Sequence, residues 1–160
     1  MIHTSHSLSD TKKIAEKFVH FISDIKQVGE KSAQNVFGFS GDLGSGKTAF
    51  TQYVASLVGI NDHVTSPTFV IQKRYPIDPF VAGEHFPFKT LIHIDAYRIE
   101  DACELVPLGF QEDIENPTNL ILIEWPERII GALSSTTPTI RFSFVSEHVR
   151  TIEFPAMMDA

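Results

Sequence analysis

Apolar residues recur at helical spacing through Ile14, Phe18, Phe21, Ile22 and Ile25, which predicts one amphipathic helix with a single buried stripe. Ser9 or Asp10 is placed to cap its start, and the pattern runs to about Val28. Beyond it the period shortens. Asn35 to Ser40 reads as a strand, and Thr48 to Val58 returns to an amphipathic helix. Gly59 stops that helix, and Asn61-Asp62-His63 forms a polar connection. Phe69 to Tyr75 alternates as a strand, while Leu91 to Asp95 and Leu120 to Glu124 are short apolar runs that each end on a carboxylate. The intervening Pro76–Lys89 segment is broken by Pro76, Pro79 and Pro87 into a loop or a long hairpin end. Asp101 to Val106 predicts a short helix closed by Pro107-Leu108-Gly109. Thr139 to Ser146 and Val149 to Phe154 form a closing hairpin with Glu147-His148 at its turn. Strands alternating with helices in this way predict an α/β three-layer fold with a mixed central sheet.

At 160 residues the chain is expected to be one domain, 1–160, large enough to bury a real core. A formal charge of −7 argues against direct grip on nucleic acid, so any such connection is expected to run through a partner. Cys103 is the only cysteine, which excludes an intramolecular disulfide and a thiolate zinc cluster; it reads as a half-buried helix residue. No apolar stretch has the length of a membrane helix, and Met1 to His6 is too polar for a signal-peptide core. The expected location is therefore cytoplasmic, away from membranes.

Candidate chemistry enters at Gly41-Asp42-Leu43-Gly44-Ser45-Gly46-Lys47-Thr48, which fits the phosphate-binding (Walker A) pattern G-x-x-x-x-G-K-[ST] directly after the apolar run Val36-Phe37-Gly38-Phe39. The glycines allow the backbone to approach phosphate oxygens, and successive N–H groups can form an anion nest at the start of the next helix. In such a loop Lys47 reaches the β- and γ-phosphates and the Thr48 hydroxyl holds Mg²⁺. A metal so held needs a carboxylate from a neighbouring strand end. Glu124 is the cleaner candidate and Asp95 the rival. His93 and Asp95 share a strand face and could pair on a metal, but with no third ligand in sight His93 reads as a hydrogen-bonded, half-buried histidine. In Ser66-Pro67-Thr68-Phe69, Thr68 can sense a γ-phosphate or simply make a turn before a strand. Trp125 can pack on a nucleotide, on a partner or in the core.

Taken together, the loop, Ser66-Pro67-Thr68-Phe69, His93-Ile94-Asp95-Ala96-Tyr97-Arg98 and Leu122-Ile123-Glu124-Trp125-Pro126-Glu127 make the chain resemble the bacterial TsaE (YjeE) family. Glu104-Leu105 and Leu108-Gly109-Phe110 are similar to the segment after that family's aspartate motif. The resemblance runs from about Leu8 to Trp125 and weakens from Ile130 onward. It implies a P-loop NTPase-like fold with a partly antiparallel sheet, and an ATPase of tRNA threonylcarbamoyladenosine (t6A) biosynthesis. The family's partners are the TsaB and TsaD proteins, and TsaD carries the transfer to adenosine 37, so tRNA is met only through the complex. By the motif match, Thr48 and Glu124 resemble the Mg²⁺ ligands, Asp95 the aspartate needed for hydrolysis, and Trp125 the tryptophan beside the nucleotide. Residues before Asp10 are expected near adenine. Ala49 and Ala96 depart from the family's usual threonine and leucine. The Pro76–Lys89 segment is longer than expected, as a partner surface or a tolerated insertion.

The resulting expectation is an Mg²⁺-dependent ATPase, with ATP and Mg²⁺ held by Asp42, Leu43, Gly44, Ser45, Gly46, Lys47, Thr48 and Trp125. Lys47, Glu124 and Asp95 act on the chemistry, Asp95 by positioning or activating water. No arginine finger stands out; Arg98 is nearest to a site motif, so hydrolysis by the isolated chain is expected to be weak. The alternatives are a nucleotide-gated adaptor without turnover and a small-molecule kinase on the same loop. A stand-alone tRNA-binding module is disfavoured by the charge. The preference for ATP over GTP rests on the resemblance.

Overall fold

Seven strands form one mixed sheet in the computed structural model, which describes residues 1–25, 34–62, 64–67 and 69–158. They are β1 (Ile2–Ser5), β2 (Val36–Ser40), β3 (Gln72–Pro76), β4 (Thr90–Asp95), β5 (Asn119–Glu124), β6 (Thr139–Phe144) and β7 (Arg150–Glu153). Across the sheet the order is β1-β7-β6-β2-β5-β4-β3. The centre, β6-β2-β5-β4, is parallel, and β3, β7 and β1 join antiparallel at the two sides. The α-helices are α1 (Leu8–Ile25), α2 (Lys47–Leu57), α3 (Pro79–Ala82) and α4 (Phe110–Glu115).

Strand alternation divides the interior into two cores. Phe37 and Phe39 of β2, Leu91 of β4, and Leu120 and Leu122 of β5 face α1 and α2, where they meet Ile14, Phe18, Ile22, Phe50 and Val54. Edge-to-face contacts tie this core together: ring centroids lie 5.1 Å apart for Phe18–Phe37 and 5.5 Å for Phe39–Phe50. The intervening residues Val36, Ile92, Ile94, Ile121 and Ile123 face the other way, onto Ile99, Leu105, Phe110 and Ile129. Strands apolar on both faces need cover on both faces, and this is why β2, β4 and β5 occupy the middle. The same alternation puts Leu91, His93 and Asp95, with Leu122 and Glu124, on the α1–α2 side. No helix among the described residues is long and apolar enough to cross a membrane.

Several elements depart from the sequence expectation. Helix α1 starts at Leu8: Ser7 is the cap, its hydroxyl accepting from the Asp10 N–H at 3.1 Å, while the Asp10 carboxylate accepts from the His6 N–H at 3.1 Å. Asp10 is thus in the first turn, and the expected end at Val28 lies outside the described residues. His63 of the polar connection is also outside them. β3 begins at Gln72, not Phe69, because residues 69–70 form a turn and Ile71 adopts a left-handed φ of 64°. Inside Pro76–Lys89, Asp78 caps the short α3 by accepting from the Phe80 N–H at 2.9 Å. The helix expected over Asp101–Val106 is a 3₁₀ segment, Ala102–Leu108, with an Asp101/Glu104 capping box and Gly109 at its end. Cys103 is exposed there, not half-buried, because Leu105 is the residue this segment turns inward. β1, α4 and a 3₁₀ segment at Pro126–Ala132 were not expected. The closing hairpin is present but shorter, its turn running over residues 145–149. His93 is fully buried rather than half-buried.

Candidate functional site

β2 delivers the chain into the glycine-rich loop and α2 carries it away. Gly41 has a φ of 139°, and a Cβ there would lie 2.1 Å from the Phe142 carbonyl oxygen, so only glycine passes β6 at this point. Gly46 holds the N-cap of α2 at a φ of 107° and offers no side-chain cap. The first-turn N–H groups of α2 therefore begin beside the loop without side-chain acceptors, an arrangement suited to an anion. An added Cβ at Gly44 or Gly46 would meet no atom within 4 Å, so the loop borders open space.

Lys47 is buried, and among the described residues its ammonium has no carboxylate partner within bonding distance. Nζ donates to the carbonyls of Gly41 at 2.6 Å and Asp42 at 2.9 Å and lies 4.2 Å from the centroid of Trp125. Burial pushes its pKa below the ordinary lysine value, opposed by the charges of Glu124, Glu127, Asp95 and Asp42. Asp42 and Leu43 project outward, whereas Ser45 is buried with its hydroxyl unpartnered among the described residues.

Thr48, one residue on, donates its hydroxyl to Glu124, with Oε1 at 2.9 Å and Oε2 at 3.0 Å. Glu124 ends β5 and is only 3% exposed. Its register partner on β4 is Asp95, so both carboxylates sit at the same edge on the same face. They are held differently. Asp95 accepts from the Ser66 hydroxyl in a very short hydrogen bond and from the Tyr97 N–H at 3.0 Å. Glu124 Oε1 lies 2.9 Å from His93 Nε2. Of the two carboxylates, Glu124 stands against Thr48, and Asp95 lies one strand away. Trp125, with a left-handed φ of 61°, packs its ring 5.1 Å from that of Tyr97.

These groups line a cavity of about 350 Å³ that includes Leu43, Gly44, Gly46, Lys47, Thr48, Ser66, Asp95, Tyr97, Glu124 and Trp125. A second cavity, of about 330 Å³, adjoins it across Gly44 and Gly46 and is bounded by Ser5 to Leu8, Thr11, His148 and Arg150. Arg98 points elsewhere, its guanidinium 4.5 Å from the ring centroid of Phe69, and Thr68 lies outside the described residues. Ser66, Tyr97 and the His93–Glu124 contact are the site partners that sequence reasoning left without a role. The shared face of His93 and Asp95 was visible, but which neighbour each would meet was not.

A divalent cation fits the oxygen pair of Thr48 and Glu124, since hard cations take hydroxyl and carboxylate ligands. Among the described residues no group of three or more His, Cys, Asp or Glu side chains could hold a metal. An ion here would therefore draw its remaining ligands from water or phosphate, as Mg²⁺ does at nucleotide sites. His93 Nε2 lies against Glu124, and Asp95 is bonded to Ser66 and Tyr97.

A family profile described as "Threonylcarbamoyl adenosine biosynthesis protein TsaE" matches residues 5–152. A tRNA threonylcarbamoyladenosine biosynthesis protein TsaE from Rickettsia typhi is 33% identical over 150 residues, covering 93% of this chain and 90% of that protein. Its Bacillus subtilis counterpart is 34% identical over 123 residues, 77% of this chain and 70% of that protein. The match to the Rickettsia conorii protein, 33% identical over 129 residues, spans 62% of that longer chain. Among solved structures, Bacillus subtilis YdiB superposes with a TM-score of 0.66 at 26% identity, over 96% of this chain and 83% of that one.

Proposed function

The chain belongs to the TsaE family, and on that premise we propose that it is the Mg²⁺-dependent ATPase subunit of tRNA threonylcarbamoyladenosine biosynthesis. One observation carries the reading: the Thr48 hydroxyl, in the first turn of α2, is bound to the Glu124 carboxylate in a cavity walled by the glycine-rich loop. ATP is the substrate, with its phosphates along loop residues 41–48. The second cavity, beside Ser5 to Leu8, has the position for the nucleoside.

Lys47 leaves the Gly41 and Asp42 carbonyls for phosphate oxygens, while the loop N–H groups accept charge as it develops. Thr48 and Glu124 would hold Mg²⁺, which would supply positive charge to offset that of the phosphates. Asp95, already oriented by Ser66 and Tyr97, accepts a hydrogen bond from the attacking water and aims it at the γ-phosphorus. Trp125 and Tyr97 wall the site and limit water entry. Among the described residues no arginine lines the cavity around Thr48 and Glu124. Turnover by the isolated chain is accordingly slow, and the TsaB and TsaD proteins complete the site and use the hydrolysis in threonylcarbamoyl transfer. Contact with tRNA runs through that complex.

The test is phosphate release from Mg·ATP, with and without TsaB and TsaD, for wild type, Glu124→Ala and Asp95→Ala. Release that rises with the partners and falls at least a hundredfold in both variants is expected, in line with loss of transition-state electrostatics. Unchanged release in Glu124→Ala would remove that residue from the metal. ATP binding with no release under any condition would favour a nucleotide-gated adaptor, the reading that the missing arginine makes second.

A further inference from the structure

His93 is fully buried on the α1–α2 face of the sheet, where its neighbours in pattern are apolar: Leu91 precedes it on that face, and Leu122 is its register partner. Backbone pairing already sets β4 against β5, so the register does not require an imidazole. An apolar side chain would serve the packing at lower cost, because His93 Nδ1 has no hydrogen-bond partner among the described residues. The polar ring has one counterpart, Glu124 Oε1, at 2.9 Å from Nε2.

Chemistry assigns the direction of that bond. An ionised carboxylate only accepts, so Nε2 must carry the hydrogen. His93 therefore donates from Nε2 to Glu124. The Thr48 hydroxyl is the other donor to this carboxylate, and it is the one a cation would recruit.

We propose that His93 is the positioning residue of the site, fixing the Glu124 carboxylate so that it keeps its aim when the Thr48 hydroxyl turns from it to a divalent cation. The inference rests on the metal-holding role of Glu124 proposed above. It concerns a residue that touches neither nucleotide nor metal and acts through another, as partners behind metal ligands do.

The test compares His93→Leu, which keeps an apolar filling of the buried position, with His93→Gln, whose amide can still donate. Mn²⁺ affinity of the protein–ADP complex is read by electron paramagnetic resonance, beside metal-free ADP binding and thermal unfolding. We expect His93→Leu to weaken Mn²⁺ binding about 10- to 100-fold with metal-free ADP binding unchanged, and His93→Gln to recover most of the loss. Wild-type Mn²⁺ affinity in His93→Leu, with Glu124→Gln impaired, would overturn the inference and leave the role of Glu124 standing. No Mn²⁺ dependence in either wild type or Glu124→Gln would remove the role of Glu124 and the inference with it. Should the leucine variant not fold, ¹⁵N spectra of wild-type His93 decide: a proton on Nε2, with nitrogen signals that move on adding Mg²⁺ to the ADP complex, is expected. A proton on Nδ1, or signals indifferent to Mg²⁺, would overturn it.

Discussion

Lys47 is bonded to the carbonyls of its own loop, with its ammonium buried against the Trp125 ring. Burial lowers its pKa, so in the alkaline window between the folded and unfolded values the unfolded chain binds more protons and folding stability rises with pH. A bound polyphosphate reverses the imbalance by favouring the charged form. Calorimetry of ADP binding in buffers of different ionisation enthalpy should therefore detect net proton uptake in that window. Lys47→Met should lose both the uptake and at least a hundredfold in affinity, while its midpoint of thermal unfolding holds or rises, since a buried ammonium has been removed. At this scale the loop and the two strand-end carboxylates were legible in the sequence, because glycine spacing and apolar runs are local. The pairing of Thr48 with Glu124 came from the motif resemblance and not from the apolar pattern, since Asp95 and Glu124 both end apolar strands and only the lateral order of β2, β5 and β4 separates them.

Among the elements, those with a strong period were visible, and those held by distant partners were not. The stripe of Ile14, Phe18 and Ile22 announced α1. β1 has only Ser5 buried and depends on β7, so its sequence carries little signal. The 3₁₀ segment at Pro126–Ala132 is too short for a helical period to stand out. One long-range contact shows how an edge is secured. Arg74 of β3 donates two hydrogen bonds of 2.6 Å to Asp113 of α4, a buried carboxylate that also accepts from Gln72 at 3.0 Å. Arg74→Ala should leave Asp113 undersupplied and cost about 2 kcal/mol in urea unfolding. A loss under about 0.5 kcal/mol would mean the bridge behaves as an ordinary surface pair.

For the whole molecule, cover is unequal on the two faces of the sheet. The second core reaches across β2, β5 and β4, while β6 and β7 turn Arg141, Ser143 and Glu153 outward, each exposed. This fits an antiparallel margin with one solvated face, and it explains why the polar C-terminal hairpin could be read as strands without being a double-sided core. With a net charge of −7 the molecule has little to offer a phosphate backbone. Filter retention of tRNA by the isolated chain at physiological salt should stay at background and appear only once TsaB and TsaD are added. Retention by the chain alone, weakening steeply with salt, would place a tRNA contact on this subunit.

Trp125 is the only tryptophan, and its ring lies 4.2 Å from the Lys47 ammonium and 5.1 Å from the Tyr97 ring. An indole beside a movable charge reports the position of that charge through its emission. The protein thus contains an intrinsic optical gauge: ligand arrival at the loop can be followed in real time, without a label, from the fluorescence of a single side chain.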